Sequence, residues 1–182
     1  MQNKTTIKNR KPNRLKEYDY SIGGWYFLTI CTNNKINHFG KLINGKVVLN
    51  EFGEIADKSW KMIDSLHKNI KLDEYVVMPN HIHGIIIINN TVGDATLPAG
   101  RQDFASPTYD RTKMELCKII QQFKRAVTVK IKSMTNNSNF KWQRSFYDRI
   151  IRNDYELYNI RKYIQQNPLK WNLEKGIENL DI

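Results

Sequence analysis

In the stretch VVMPNHIHGIIIIN, Val76 to Asn89, apolar residues fall on both faces of an extended chain. A strand sets residues two apart on one side, so His81, His83, Ile85 and Ile87 share a face, and Ile82, Gly84, Ile86 and Ile88 share the other. Apolar character on both sides predicts a central strand covered above and below. LDEYVVM precedes it across a Pro79-Asn80 turn and reads as its neighbour. Upstream, GWYFLTICTNN (Gly24 to Asn34) is dense in aromatic and β-branched residues and predicts a first strand. GKLINGKVVLN sets Asn44-Gly45 between two short apolar runs, a hairpin signal.

Three stretches carry helical spacing instead. Phe52, Ile55, Trp60, Ile63 and Leu66 follow Asn50, a suitable N-cap. Leu116, Ile119, Ile120, Phe123, Val127 and Ile131 mark one side of a helix within 112–134. After a last strand near Phe146 to Ile151, a closing helix starts at Asn153 as N-cap, with Glu156 completing a capping box and Pro168 expected to stop it. The order strand, hairpin, helix, two strands, helix, strand, helix predicts an α+β fold. Its natural arrangement is an antiparallel sheet with helices on one face, the ferredoxin-like type that RNA recognition motifs share. Residues 90–111 lack periodicity and collect Gly, Pro, Ser, Asp and Thr, as an irregular surface loop does. Residues 1–20 read as a basic arm, 21–175 as the folded domain and 176–182 as a tail.

Charge changes the picture most. Among 182 residues, Lys and Arg number 29 against 18 Asp and Glu, a net charge of +11. Such a surplus is the footprint of a polyanion partner, because each neutralised phosphate releases condensed counterions. The basic residues placed to meet one are Lys8, Arg10, Lys11 and Arg14 in the arm, Lys124 and Arg125 on the second long helix, and Arg144, Arg149 and Arg152 around the last strand. A solvated basic face is the other reading of the same residues. Cys31 and Cys117 lie far apart with no C-x-x-C, which excludes a disulfide scaffold and fits a reducing cytoplasm. No apolar run approaches the ~20 residues that span a bilayer, and the charged N-terminus has no secretory core, so no membrane partner is expected.

Two sets of residues could carry chemistry. His81 and His83 are either polar residues at a strand mouth or half of a metal site. Tyr163 and Asn167 are four apart on the closing helix and so sit one above the other. Tyr163 could be a half-buried packing residue, and Asn167 a residue kept extended before Pro168.

Taken together, MPNHIHGIIII and IRNDYELYNIRKYIQQNPLKW resemble the REP-associated tyrosine transposases, within the HUH single-tyrosine transposases of bacterial insertion sequences. RLKEYDYSIGGWYFLTICTNNKINHFG and KWQRSFYDRIIRN resemble them too, so the likeness spans most of 14–171. It implies that His81, His83 and Asn167 bind a divalent metal, Mg²⁺ or Mn²⁺, and that Tyr163 is the nucleophile. It implies a single-stranded DNA partner bearing a hairpin of a repetitive extragenic palindrome, a cytoplasmic, nucleoid-associated location, and action as a monomer or homodimer. Some members carry histidine where this chain has Arg149, so a structural pair with Asp148 is an alternative role there. A tyrosine phosphodiester resembles in energy the bond broken, so a strand can be rejoined without ATP. A phenol with pKa ~10 needs an activated electrophile, and neutral ligands leave a metal its full charge to supply that activation. Two rivals remain: a non-catalytic nucleic-acid-binding module of RRM type, and a zinc hydrolase, for which only His38 and His67 are left as further histidines.

Overall fold

The computed structural model describes residues 23–89, 115–135 and 139–178. The arm with Lys8, Arg10, Lys11 and Arg14 and the irregular stretch 90–111 lie outside these residues. In chain order the elements are β1 (Gly24–Cys31), a 3-10 turn (Asn33–Lys35), β2 (Gly40–Ile43), β3 (Lys46–Leu49), α1 (Glu51–Lys61), the single turn α2 (Ile63–Leu66), β4 (Ile70–Met78), β5 (His81–Ile88), α3 (Glu115–Met134), β6 (Tyr147–Ile151) and α4 (Asp154–Glu178). The main sheet runs β4-β5-β1-β6 and is antiparallel throughout, with β2 and β3 forming a separate hairpin. This is the α+β, ferredoxin-like arrangement that the chain's periodicities predict. Among the described residues no helix is long and apolar enough to cross a membrane.

β5 lies inside the sheet, and its two apolar faces feed two cores. Ile82, Ile86 and Ile88, with Tyr26, Leu28 and Ile30 of β1, pack against Trp60 of α1 and Leu116, Ile120 and Phe123 of α3. Ile85, Phe27 and Ile151 face the other way and pack against Leu157, Ile160 and Ile164 of α4. The expectation of helices on one face therefore holds for α1 and α3 only. α4 crosses to the opposite face, because the row Phe27–Ile85–Ile151 would otherwise lie bare to water. Gly84 marks where a helix comes closest to the sheet. A Cβ there would lie 2.3 Å from Cζ2 of Trp60, so only glycine admits the indole.

Local signals act as expected at the hairpin and the helix starts. Asn44 and Gly45 adopt φ values of 51° and 72°, the paired positive angles of a type I′ turn. Asn50 Oδ1 accepts from Gly53 N–H at 3.0 Å, capping α1. Asn153 Oδ1 accepts from Glu156 N–H at 2.8 Å, but the Glu156 carboxylate reaches past the cap residue to accept from Arg152 N–H at 3.1 Å.

Two features of α4 depart from the periodicity. It does not end at Pro168 but continues to Glu178, although Pro168 has no N–H to give the Ile164 carbonyl. The turn beyond the proline is held from outside. Leu169 packs over the hairpin tip, 3.2 Å from where a Gly45 Cβ would lie, and the Trp171 indole stacks on His81 with centroids 5.1 Å apart. The second feature is a bidentate pair. Where the β4–β5 register slips between Leu72 and Tyr75, Asp73 accepts from Arg161 Nε at 2.8 Å and from a terminal guanidinium nitrogen. The same guanidinium sits 5.9 Å from the Trp25 ring centroid. Burial alone would raise the Asp73 carboxyl, but Arg161 and the Glu74 N–H outweigh it and hold the group below its ordinary value.

Two outcomes are expected. Gly84→Ala forces Trp60 to move and costs about 1–3 kcal/mol of unfolding free energy, and adding Trp60→Phe recovers part of that loss in a double-mutant cycle. Asp73→Asn costs roughly 1 kcal/mol at pH 7, a modest figure because 41% of the Arg161 side chain is exposed. A depressed carboxylate stabilises above its unfolded pKa and stops doing so as pH falls through the folded one. The gap between variant and wild type in urea unfolding should therefore close as pH falls below about 4.

Candidate active site

The site forms where the N-terminal end of β5 meets the C-terminal half of α4. Antiparallel register sets Thr29 of β1 beside His83 and Cys31 beside His81. By strand alternation all four side chains lie on the sheet face that α4 covers. On α4, Tyr163, Asn167 and Trp171 follow one another at intervals of four residues and share one helical face. Together they line a cavity of about 380 Å³, with Lys35 and Lys170 also on its wall.

Inside it, polar atoms converge. His81 Nε2 and His83 Nε2 are 3.0 Å apart, and the Tyr163 hydroxyl is 3.3 Å from His83 Nε2. Phe27 stacks beneath His83 with centroids 5.4 Å apart and meets the edge of Tyr163 at 5.9 Å, fixing both rings on an apolar floor. Tyr163 keeps 38% of its surface exposed while lining the cavity. Asn167 is buried, and its Oδ1 makes no well-formed hydrogen bond among the described residues, although its side chain lies near enough to His81 to favour the protonated ring.

Burial dominates the electrostatics. It pushes His81 down to about 3, helped by the neighbouring His83 and by Lys35, with Asn167 pulling slightly upward. It pushes His83 down to about 4, against the Leu28 carbonyl, which favours the protonated ring. Both imidazoles are therefore neutral at pH 7, the form that binds metals. His81 Nδ1 lies 2.7 Å from Asn80 Oδ1, and His83 Nδ1 lies 2.9 Å from Thr29 Oγ1. If both outer nitrogens carry the hydrogen, two lone pairs face each other across the cavity and call for a cation between them. In the absence of one, His83 can carry its hydrogen on Nε2, because the Thr29 hydroxyl either donates or accepts. Two inward imidazole nitrogens and an orphaned buried amide oxygen fit a divalent cation that completes its shell with water or phosphate.

The structure thus brings together His81, His83, Tyr163 and Asn167, the four residues that the resemblance singles out, around one cavity. Among the described residues, none of the basic candidates lines the cavity. The Lys124 ammonium donates to the carbonyls of Gln143 and Ser145, at 2.9 and 3.1 Å, and ties the segment before β6 to α3. Arg149 pairs with Glu156 at 3.2 Å and so braces the start of α4, while Asp148, its neighbour on β6, is buried. Arg125, Arg144 and Arg152 are exposed and line no part of the cavity. Tyr147, Tyr155 and Tyr158 do not line it either, nor do His38 and His67. Among the described residues no three His, Cys, Asp or Glu side chains cluster as a metal site.

Sequence reasoning missed Thr29, Asn80, Lys35, Lys170 and Trp171 at this site. Trp171 was within reach, since it continues the series from Tyr163 and Asn167 once the helix is allowed through Pro168. Thr29 and Lys35 come from a distant segment, and only the β1–β5 register reveals them.

No family model matches the chain. A solved structure of a REP-associated tyrosine transposase bound to a REP hairpin is similar over 86% of this chain and 74% of its own, with a TM-score of 0.52 and 18% identity, a likeness of fold. An uncharacterized protein of Haemophilus influenzae is 38% identical over 167 residues, 91% of each chain. At that identity and coverage, the chain belongs to the same family as this Haemophilus influenzae protein.

Proposed function

We propose that the protein is a metal-dependent single-stranded DNA transposase-like enzyme, which cuts and rejoins strands at hairpin DNA of the REP type through Tyr163. One observation carries this reading. The hydroxyl of a partly exposed tyrosine stands 3.3 Å from one of two neutral, converging imidazoles, in a cavity that also holds the orphaned oxygen of Asn167. The fold shared with a transposase bound to a REP hairpin supports it, as does the surplus of 11 positive charges.

In the reaction, Tyr163 Oη attacks the scissile phosphorus and gives up its proton as the new O–P bond forms. The bond to the 3′ oxygen breaks, and that oxygen leaves as a 3′-hydroxyl. The 5′ side stays on the protein as a 5′-phosphotyrosine. Attack by a 3′-hydroxyl reverses the step and rejoins a strand, with no energy source needed. His81, His83 and Asn167 would hold Mg²⁺ or Mn²⁺, whose role is to withdraw charge from the phosphate oxygens. Phe27 keeps His83 and Tyr163 in register, and Lys35 and Lys170 add positive charge along the wall where the strand would enter. The RRM-type alternative is disfavoured because α4 covers Phe27, Ile85 and Ile151 at the centre of the sheet face opposite α1 and α3, where bases would otherwise stack.

Tyr163→Phe removes one oxygen from a part-exposed ring and should change stability by no more than about 0.5 kcal/mol. Cleavage of single-stranded hairpins with Mn²⁺ and the covalent adduct should both disappear in this variant, while hairpin binding stays near wild type. His81→Ala should lose cleavage and keep binding. Denaturing gels and mass spectrometry of the wild-type adduct make the check. A nucleotide found on Tyr147, Tyr155 or Tyr158, or cleavage without any adduct, would overturn the assignment.

A further inference from the structure

The turn that launches β5 is gripped by the loop that follows β1. Thr32 N–H donates to the Asn80 carbonyl at 2.9 Å, and the Asn80 amide nitrogen donates to the Lys35 carbonyl at 2.9 Å. Phe39 N–H adds a third tie, to the Pro79 carbonyl at 2.9 Å. The loop adopts an unusual backbone to do this, with φ of 52° at Asn34 and 53° at Lys35. Left-handed backbone costs a residue with a Cβ on the order of 1 kcal/mol and persists only where surrounding contacts impose it. Here Asn80 supplies two of those contacts, and the Lys141 carbonyl, which accepts from Asn33 N–H at 2.8 Å, supplies another.

The consequence falls on His81. With the Asn80 nitrogen committed to a carbonyl, the atom facing His81 Nδ1 at 2.7 Å is Oδ1. A flipped amide would set oxygen against the Lys35 carbonyl, so the network leaves one assignment. An amide oxygen only accepts, so Nδ1 of His81 must carry the ring hydrogen, and Nε2 turns its lone pair into the cavity. Thr29 by itself imposes no such choice on His83, because a hydroxyl satisfies either tautomer, although the Leu28 carbonyl beside that ring favours an N–H.

We propose that Asn80 is a positioning residue that fixes the tautomer of His81, and that the strained loop Thr32–Ile36 holds Asn80 in the orientation this requires. Asparagine is needed because one side chain must donate to Lys35 and accept from His81 together. Aspartate keeps the acceptor and loses the donor, and alanine loses both. The value of the fixed tautomer rests on the metal-dependent reading above, but the tautomer itself is a property of the metal-free protein.

The test uses the full chain labelled with ¹⁵N at histidine and long-range proton–nitrogen correlation of the rings, without metal, at pH 7.5. Wild type should show His81 as a single Nδ1–H form. Asn80→Ala should populate the Nε2–H form and weaken Mn²⁺ binding by about 10–100-fold, the usual effect of losing the outer partner of a ligating histidine. Asn80→Asp should keep His81 in the Nδ1–H form. A role in folding alone predicts that Asn80→Ala lowers the melting temperature and leaves the ring unchanged, which would overturn the proposal. So would an Nε2–H His81 in wild type, a result available even if Asn80→Ala does not fold. If wild type binds no Mn²⁺, the metal-dependent reading fails, and the ring spectra still decide the role of Asn80.

Discussion

Ile82, Ile86 and Ile88 point into the core beneath α1 and α3, while Ile85 on the same strand points the other way, and water must be kept from both sides of β5. Most of the architecture follows from this double burial. One face is met by the two helices that the connections of the sheet supply. The second face needs another element, and α4, the last to be added, is the one that closes over it. Because α4 covers that face to exclude water from Ile85 and Phe27, its next turns pass over the strand mouth where His81 and His83 stand. A packing requirement thus sets the distance between the tyrosine and the histidines.

The polar end of that interface has a different logic from its apolar end. Leu157, Ile160 and Ile164 bury apolar surface at roughly 25 cal/mol per Å². One turn further on, Asn167 is buried with its Oδ1 unmet among the described residues. An unsatisfied buried acceptor costs on the order of 1–3 kcal/mol. A fold that needed only to pack would put leucine at position 167, as it puts isoleucine at 164. On the metal-dependent reading proposed above, a bound cation would supply the partner that the Asn167 oxygen lacks.

Much of this was legible in the residues. Apolar spacing, aromatic and β-branched density, and turn and cap residues located the strands of the main sheet, the hairpin at Asn44-Gly45 and the long helices, because propensity and burial favour the same elements there. The juxtaposition of His81, His83, Tyr163 and Asn167 was implied by family resemblance rather than by spacing, since the strand and the helix lie 80 residues apart between His83 and Tyr163. Three things were not legible. The side of the sheet that α4 takes depends on which apolar row is left uncovered, a property of the assembled sheet. The passage through Pro168 depends on Trp171 and Leu169 finding partners in β5 and the hairpin. The uses of Lys124 and Arg149 depend on carbonyls and a carboxylate brought near by folding, so a count of positive charges could not tell a strut from a DNA contact.

Pro168 also gives α4 an uneven mechanical character. The carbonyl deprived of its helical donor is that of Ile164, the residue right after Tyr163, so the missing rung spans the segment that separates the hydroxyl from the Asn167 oxygen. On the N-terminal side the helix is anchored by Arg161 to β4, and on the C-terminal side it leans on the hairpin through Leu169. Between two anchored ends, the compliant point of the helix falls inside the cavity. Small changes in the separation of Tyr163 and Asn167 therefore stretch one hydrogen bond fewer than they would in an unbroken helix. On the reading proposed above, this compliance would let the site adjust between free and tyrosine-linked DNA without disturbing the packed core behind it.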